Sequence, residues 1–133
     1  MINFVRMIIE QIKGTHKAAF NSPFELSFDE RGLRVRRLTF LNRAEEHSLL
    51  WREIISAKAY KRDLLTVDRV CIAFEKATGE WFEINEDMKG WLALLPEMKI
   101  NLEGFLPMEE WLGNVTLPPF QTNEIEIYRR NNE

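Results

Sequence analysis

From Phe24 onward the side chains alternate in polarity with a period of two, and turn-forming residues interrupt the alternation at short intervals. Period two is the spacing of a strand with one covered face and one wet face. Short alternating runs separated by turns favour antiparallel pairing of neighbours. Phe24, Leu26 and Phe28 alternate with Glu25 and Ser27, Asp29-Glu30-Arg31-Gly32 is a turn, and Leu33, Val35 and Arg37 then alternate with Arg34, Arg36 and Leu38. This predicts a hairpin in which Gly32 supplies a positive φ. Asn42 to Glu46 is polar and predicts the next turn, followed by a strand-like run from His47 through Trp51 to Ile54. Ile55 to Tyr60 continues it, with Ile55, Ala57 and Ala59 on one side and Ser56, Lys58 and Tyr60 on the other, and the charged stretch Lys61 to Asp68 reads as a loop. Val70 to Phe74 is apolar at every position, which suits a strand covered on both faces. Ala77-Thr78-Gly79-Glu80 is a turn and Trp81 to Ile84 the partner strand.

Elsewhere the period changes. Ile2, Val5, Ile8, Ile9 and Ile12 recur at helical spacing around Arg6, Glu10 and Lys13, with Gly14 as terminator. This is an amphipathic N-terminal helix that either packs on the domain or forms a homodimer. Asn85 is a suitable N-cap for a second helix, whose stripe is Met88, Trp91, Leu92 and Leu95 and whose stop is Pro96. Pro107 opens a short helix over Met108 to Leu112, and Ile125, Ile127 and Tyr128 read as a last strand. The fold class expected is α+β: an antiparallel sheet of about six strands, a roll or partly open barrel, capped by the Met88–Leu95 helix. The order of elements is similar to the pleckstrin-homology layout. A single domain over residues 1–133 is expected, with the N-terminal helix and connector at 1–20, the sheet and capping helix at 24–95 and an irregular extension at 96–133.

Composition excludes several classes of function. Cys71 is the one cysteine, so no intrachain disulfide can form, and with only His16 and His47 beside it no Cys₄ or Cys₂His₂ zinc site can be built. The six glycines are isolated, so no phosphate-cradling glycine loop can be written, and no GxSxG, HExxH or EF-hand loop occurs. No cofactor and no metal are expected. Met1 to Gly14 lacks an apolar core and a small-residue cleavage site, and no apolar run approaches the ~18 residues of a spanning helix. A cytoplasmic location is therefore expected. Net charge is −3, but residues 1–66 carry 12 basic and 8 acidic side chains, while residues 67–133 carry 6 and 13. A nucleic-acid binder would be net basic with a concentrated stripe, so nucleic acid is not the expected partner.

Three stretches carry a resemblance. They are Trp51-Arg52-Glu53-Ile54 running through Lys58 and Tyr60-Lys61-Arg62-Asp63 to Asp68 and Val70-Cys71-Ile72; Ile84-Asn85-Glu86-Asp87-Met88-Lys89-Gly90-Trp91; and Trp111, Val115, Pro118-Pro119-Phe120, Asn123 and Tyr128-Arg129-Arg130. In that order the chain resembles a group of small uncharacterised bacterial proteins, some of them immunity-like. The resemblance implies a bacterial, cytoplasmic, single-domain protein and brings no catalytic residues with it.

Candidate sites follow from residue chemistry. Arg34 and Arg36 share a strand face near Arg37 and Arg43, and together with Lys58, Tyr60, Lys61 and Arg62 they could form a basic patch for an anionic ligand, a phosphate headgroup or nucleic acid. The plainer reading is a solvated face that discourages edge pairing. Of the four tryptophans, Trp111 lies among Glu109 and Glu110 and is the candidate for an exposed binding contact, while the plainer reading for each of the four is a core or half-buried position. Cys71 with His47 could be a nucleophile and base, but a thiol inside Val-Cys-Ile-Ala-Phe reads as core. Asp63 and Asp68 read as salt-bridged or turn-capping, given Lys61, Arg62 and Arg69 beside them. The function expected is a non-enzymatic protein-interaction module, an adaptor or immunity-like protein, contacting another protein through its acidic, aromatic-bearing C-terminal half. The alternative is an anionic-ligand binder using the basic face.

Overall fold

The computed structural model describes residues 22–38, 44–63, 68–116 and 123–131. The expected N-terminal helix with its homodimer contact, and Arg43, lie outside the described residues. Phe24–Phe28 (β1) and Gly32–Leu38 (β2) form the expected hairpin, with Leu26 opposite Val35. Asp29 closes the turn. Its carboxylate accepts the amides of Arg31 and Gly32 at 2.8 and 3.2 Å. The Arg31 amide, with the Arg34 guanidinium beside it, holds the Asp29 carboxyl below its usual range.

Gly32 lacks the positive φ expected of it. Glycine is needed there for another reason: Ala44–Leu50 (β3) passes so close that a Cβ on residue 32 would lie 2.1 Å from the Leu49 carbonyl oxygen. Gly32→Ala should therefore cost about 2 kcal/mol, as overpacking against fixed backbone does. Gly113→Ala, in a helix with open space around it, should instead stabilise by about 0.5–1 kcal/mol. Urea denaturation of the two variants checks both signs.

β3 begins at Ala44, before the His47 start expected, so Ala44 to Glu46 of the run taken for a turn are strand. Glu45, Glu46, His47 and Ser48 are all exposed on a strand at the sheet edge, where charge is tolerated and opposes aggregation.

The single six-stranded sheet is not formed. Among the described residues the chain makes two antiparallel sheets, one of three strands in the order β1-β2-β3 and one of four. The division falls at Trp51–Glu53, a 3₁₀ turn where a continuous strand was expected. Trp51 donates its amide to the Arg31 carbonyl at 2.9 Å and its indole N–H to the Asp29 carbonyl at 3.1 Å. The Glu53 carboxylate accepts the Leu50 amide at 2.9 Å. These bonds fasten the turn to the first hairpin and send the next strand into a second sheet.

That sheet contains Ile54–Asp63 (β4), Asp68–Lys76 (β5), Trp81–Asn85 (β6) and Glu124–Arg129 (β7), in the order β6-β5-β4-β7. Lys61 to Asp63 and Asp68 belong to paired strands, so the loop expected over Lys61 to Asp68 is shorter than its charge suggested. β5 lies between two strands, with Val70, Cys71, Ile72 and Phe74 buried, as its continuous apolar run predicts.

Among the described residues two helices lie between β6 and β7, the capping helix and the short helix after Pro107 that the sequence suggested, and both run further into the stretch expected to be irregular. Trp91–Asn101 (α1) starts later than its expected N-cap at Asn85 and passes through Pro96. Pro96 is the sixth of the eleven residues and removes one bond from the helix interior; the acceptor left without an amide is the carbonyl of Leu92, whose residue is 65% exposed and open to water. Of the expected stripe, Met88 and Trp91 are buried and Leu95 packs against the core, but Leu92 turns outward, and Leu94 and Met98 complete the covered face. Gly90 precedes α1 at φ 93°, where a Cβ would also lie 2.6 Å from the Leu26 carbonyl oxygen. The neighbouring Lys89 carbonyl accepts the Leu26 amide at 2.7 Å, pinning this segment beside β1. Met108–Thr116 (α2) follows Pro107 as expected and packs on β4 and β7. One cluster of buried apolar residues joins both sheets and both helices, from Leu26, Leu33 and Leu49 to Ile72, Phe74 and Trp111.

Candidate functional site

Strand alternation divides the four-stranded sheet into a core face and an outer face. Ala57, Ala59, Ile72, Phe74, Ile84 and Ile127 are buried on the first. On the second, pairing aligns Trp81, Glu75, Ser56 and Arg129 in one row, and Glu83, Ala73, Lys58 and Glu126 in the next. A third row holds Asn85, Cys71, Tyr60 and Glu124. Trp81 is 49% exposed, the one tryptophan of the four that is not buried.

The side chains of this face are tied to one another. Lys58 Nζ lies 5.4 Å from the centroid of the Trp81 ring and 3.7 Å from Glu124. Glu83 accepts the Tyr60 hydroxyl and both Nε and Nη2 of Arg62, the latter at 2.6 Å. The Arg62 guanidinium stands 5.6 Å from the Tyr60 ring. Burial, reinforced by the bond to Glu83, raises the Tyr60 hydroxyl well above its usual range. Ser56 donates to Glu75 at 2.8 Å, and Arg129 grips Glu126 at 2.6 Å. Cross-strand pairs of this kind fix side-chain positions before any partner arrives, which reduces the ordering cost of binding.

The proposed basic patch is divided. Arg34 and Arg36 lie on β2 of the three-stranded sheet, each beside a carboxylate: Arg34 is 3.0 Å from Asp29 and Arg36 is 3.1 Å from Glu25. Arg37 covers the Phe24 ring at 5.7 Å. Lys58 and Tyr60 belong to the outer face of the other sheet. Lys61 does not: it is 1% exposed, donating to the Thr116 carbonyl at 3.0 Å and lying 3.4 Å from Asp68. Lys61 keeps step with Ala57 and Ala59, so one more pair of strand residues places it on the core face. Ending the strand at Tyr60 concealed this.

Trp111 is 0% exposed, so the candidate exposed contact there is overturned and the plainer core reading holds. Its indole N–H donates to the Leu106 carbonyl at 3.1 Å. The signal was present: Met108, Trp111, Leu112 and Val115 are spaced i, i+3, i+4, i+7, the covered stripe of a helix. Trp81 and Glu83, which the sequence reading did not single out, share strand parity on the polar side of β6, opposite Phe82 and Ile84.

Cys71 is fully buried, and burial pushes its thiol up to about 12, so a thiolate nucleophile is not available at neutral pH. His47 sits in the other sheet, paired with Val35. Among the described residues no three His, Cys, Asp or Glu side chains gather as metal ligands. No helix among them is long and apolar enough to cross a membrane. No family model, curated protein or solved structure matches the chain, so the bacterial resemblance and the pleckstrin-homology-like layout draw no support from comparison.

Proposed function

We propose that this chain is a non-enzymatic protein-interaction module that engages its partner through the outer face of the four-stranded sheet, with Trp81 as the anchor. The observation that carries the reading is a half-exposed tryptophan beside a sheet of mutually paired charged groups. Tryptophan is the side chain most enriched among residues that dominate binding energy, and it does most when flanked by polar groups that exclude water. An adaptor or immunity-like role belongs to this class. The resemblance to immunity-like bacterial proteins leans the same way.

The test is affinity capture of the tagged protein from its native host at low and moderate salt, with wild type, Trp81→Ala and Leu92→Ala/Ile100→Ala in parallel. Wild type should recover one protein in near-equal amount at both salts. Trp81→Ala should lower recovery at least tenfold, as loss of a main anchor does. Its melting temperature should hardly move, because surface substitutions stay within about 0.5 kcal/mol. Leu92 and Ile100 are 65% and 74% exposed on α1 and are the rival apolar contacts. Recovery that follows them and ignores Trp81 would move the interface to α1.

A further inference from the structure

Most arginines on the two sheets face a carboxylate. Arg34, Arg36, Arg62, Arg69 and Arg129 each have one within 3.1 Å. Among the described residues Arg31, Arg37, Arg52 and Arg130 have none; Arg37 covers the Phe24 ring, Arg130 bonds backbone carbonyls, and Arg31 and Arg52 are exposed. They come from different turns, 21 positions apart in sequence, yet both line one depression of about 390 Å³, together with Glu30, Leu50 and Trp51.

The walls are held in place. Trp51 bonds through its amide to Arg31 and through its indole to Asp29, and Asp29 in turn caps the amides of Arg31 and Gly32. A third guanidinium is fixed to the same turn: Arg130 donates to the carbonyls of Trp51 and Arg52 and has no carboxylate partner among the described residues. The lining itself thus holds two guanidinium groups, Arg31 and Arg52, and one carboxylate, Glu30, while the Asp29 and Glu53 carboxylates of the same two turns are engaged, Asp29 by Arg34 and the amides of Arg31 and Gly32, Glu53 by the Leu50 amide. Guanidinium is weakly hydrated and offers a planar fork of donors that matches the oxygens of a phosphate. A volume of this size falls in the range of small-molecule sites, about 300–1,000 Å³.

We infer that the depression between the β1–β2 turn and the Trp51–Glu53 turn binds a phosphate group, free or carried as a small monoester, with Arg31 and Arg52 gripping the phosphoryl oxygens. Leu50 offers an apolar surface for the organic part of a monoester. This site uses none of the residues of the Trp81 face and does not depend on it.

The test is an NMR titration of the labelled protein with inorganic phosphate and, separately, with glycerol phosphate. Sodium chloride holds the ionic strength constant. Saturable shifts are expected in the side-chain Nε–Hε signals of Arg31 and Arg52 and in the amides of Glu30 to Gly32 and Trp51. Arg31→Gln and Arg52→Gln should each weaken binding at least tenfold, and Arg34→Gln/Arg36→Gln should leave it unchanged. The amide spectra of the same samples verify that each variant is folded. Equal affinity for both probes identifies free phosphate as the ligand, and tighter binding of glycerol phosphate identifies a monoester. Shifts that never saturate, that chloride alone reproduces, or that Arg34→Gln/Arg36→Gln weakens equally would overturn the assignment.

Discussion

Replacing Trp111 by alanine is expected to cost about 4 kcal/mol, in the range measured for truncating a fully buried aromatic side chain. Trp111 is among the largest wholly buried side chains, and it belongs to the helix that packs on β4 and β7. Truncation would leave a cavity lined by elements anchored elsewhere, which limits collapse into the gap. Trp111→Phe separates packing from hydrogen bonding. Phenylalanine keeps most of the volume but leaves the Leu106 carbonyl without its indole donor, so a loss of about 1–2 kcal/mol is expected. Urea denaturation of the three proteins measures both quantities. For a chain of this length, 4 kcal/mol corresponds to a melting temperature more than about ten degrees lower. An alanine variant as stable as wild type would mean that α2 does not seat Trp111 against the sheet.

Lys61 carries the second large expectation. A lysine that is 1% exposed is stable only because its ammonium group has partners, here the Thr116 carbonyl and Asp68. Removing one member of a buried pair strands the other, at about 3–5 kcal/mol for a fully enclosed pair. The Asp68 side chain is 23% exposed and can recover some hydration, so Lys61→Ala should cost about 3 kcal/mol, at the lower end of that range. Lys61→Met keeps the buried methylenes and should cost less. Asp68→Asn should cost less in Lys61→Met than in wild type, with a coupling of about 1–2 kcal/mol by double-mutant cycle. Because the ammonium group is enclosed, the coupling should persist in high salt. A coupling near zero would mean that the two side chains do not meet. The basic-patch reading needed Lys61 in solvent; the pair it makes instead ties β4 to the start of β5 and, through Thr116, to the end of α2.

Local pattern disclosed the hairpins and very little of what lies between them. Phe24 to Val35 announces itself because alternation, an aspartate-led turn and a glycine all agree over a dozen residues. Val70 to Phe74 likewise marks itself as an enclosed strand. The 3₁₀ turn at Trp51 had no comparable signal. Trp51 has ordinary strand propensity, and what ends the strand is a pair of bonds to the Asp29–Arg31 segment some twenty residues earlier. The division into two sheets depends on that tertiary contact. Pro96 misled in the opposite direction, since the one bond it removes leaves its acceptor, the Leu92 carbonyl, on an exposed residue where water can take the amide's place. The polarity of near neighbours misled for Trp111, where Glu109 and Glu110 drew attention away from the helical stripe. On the Trp81 face the parity of Trp81 and Glu83 was readable. The union of Lys58, Glu83 and Trp81 from two different strands required the register. No sequence spacing relates Arg31 to Arg52, and their convergence is a property of the folded chain alone.

The pairing of β7 with β4 sets the order in which the molecule can be completed. Every other strand pair joins sequence neighbours and can close within a short stretch of chain. β7 must return across both helices to reach β4, from residue 124 to residue 60 at its nearest register pair. Closing so long a loop carries the largest entropic cost in the fold and is rewarded only when Ile127 and Tyr128 reach the core. During synthesis the backbone edge of β4 therefore stays open until almost the whole described chain has been made. For that interval the nascent chain presents an unpaired strand beside a growing apolar core, the form in which a strand edge is most readily captured by another chain.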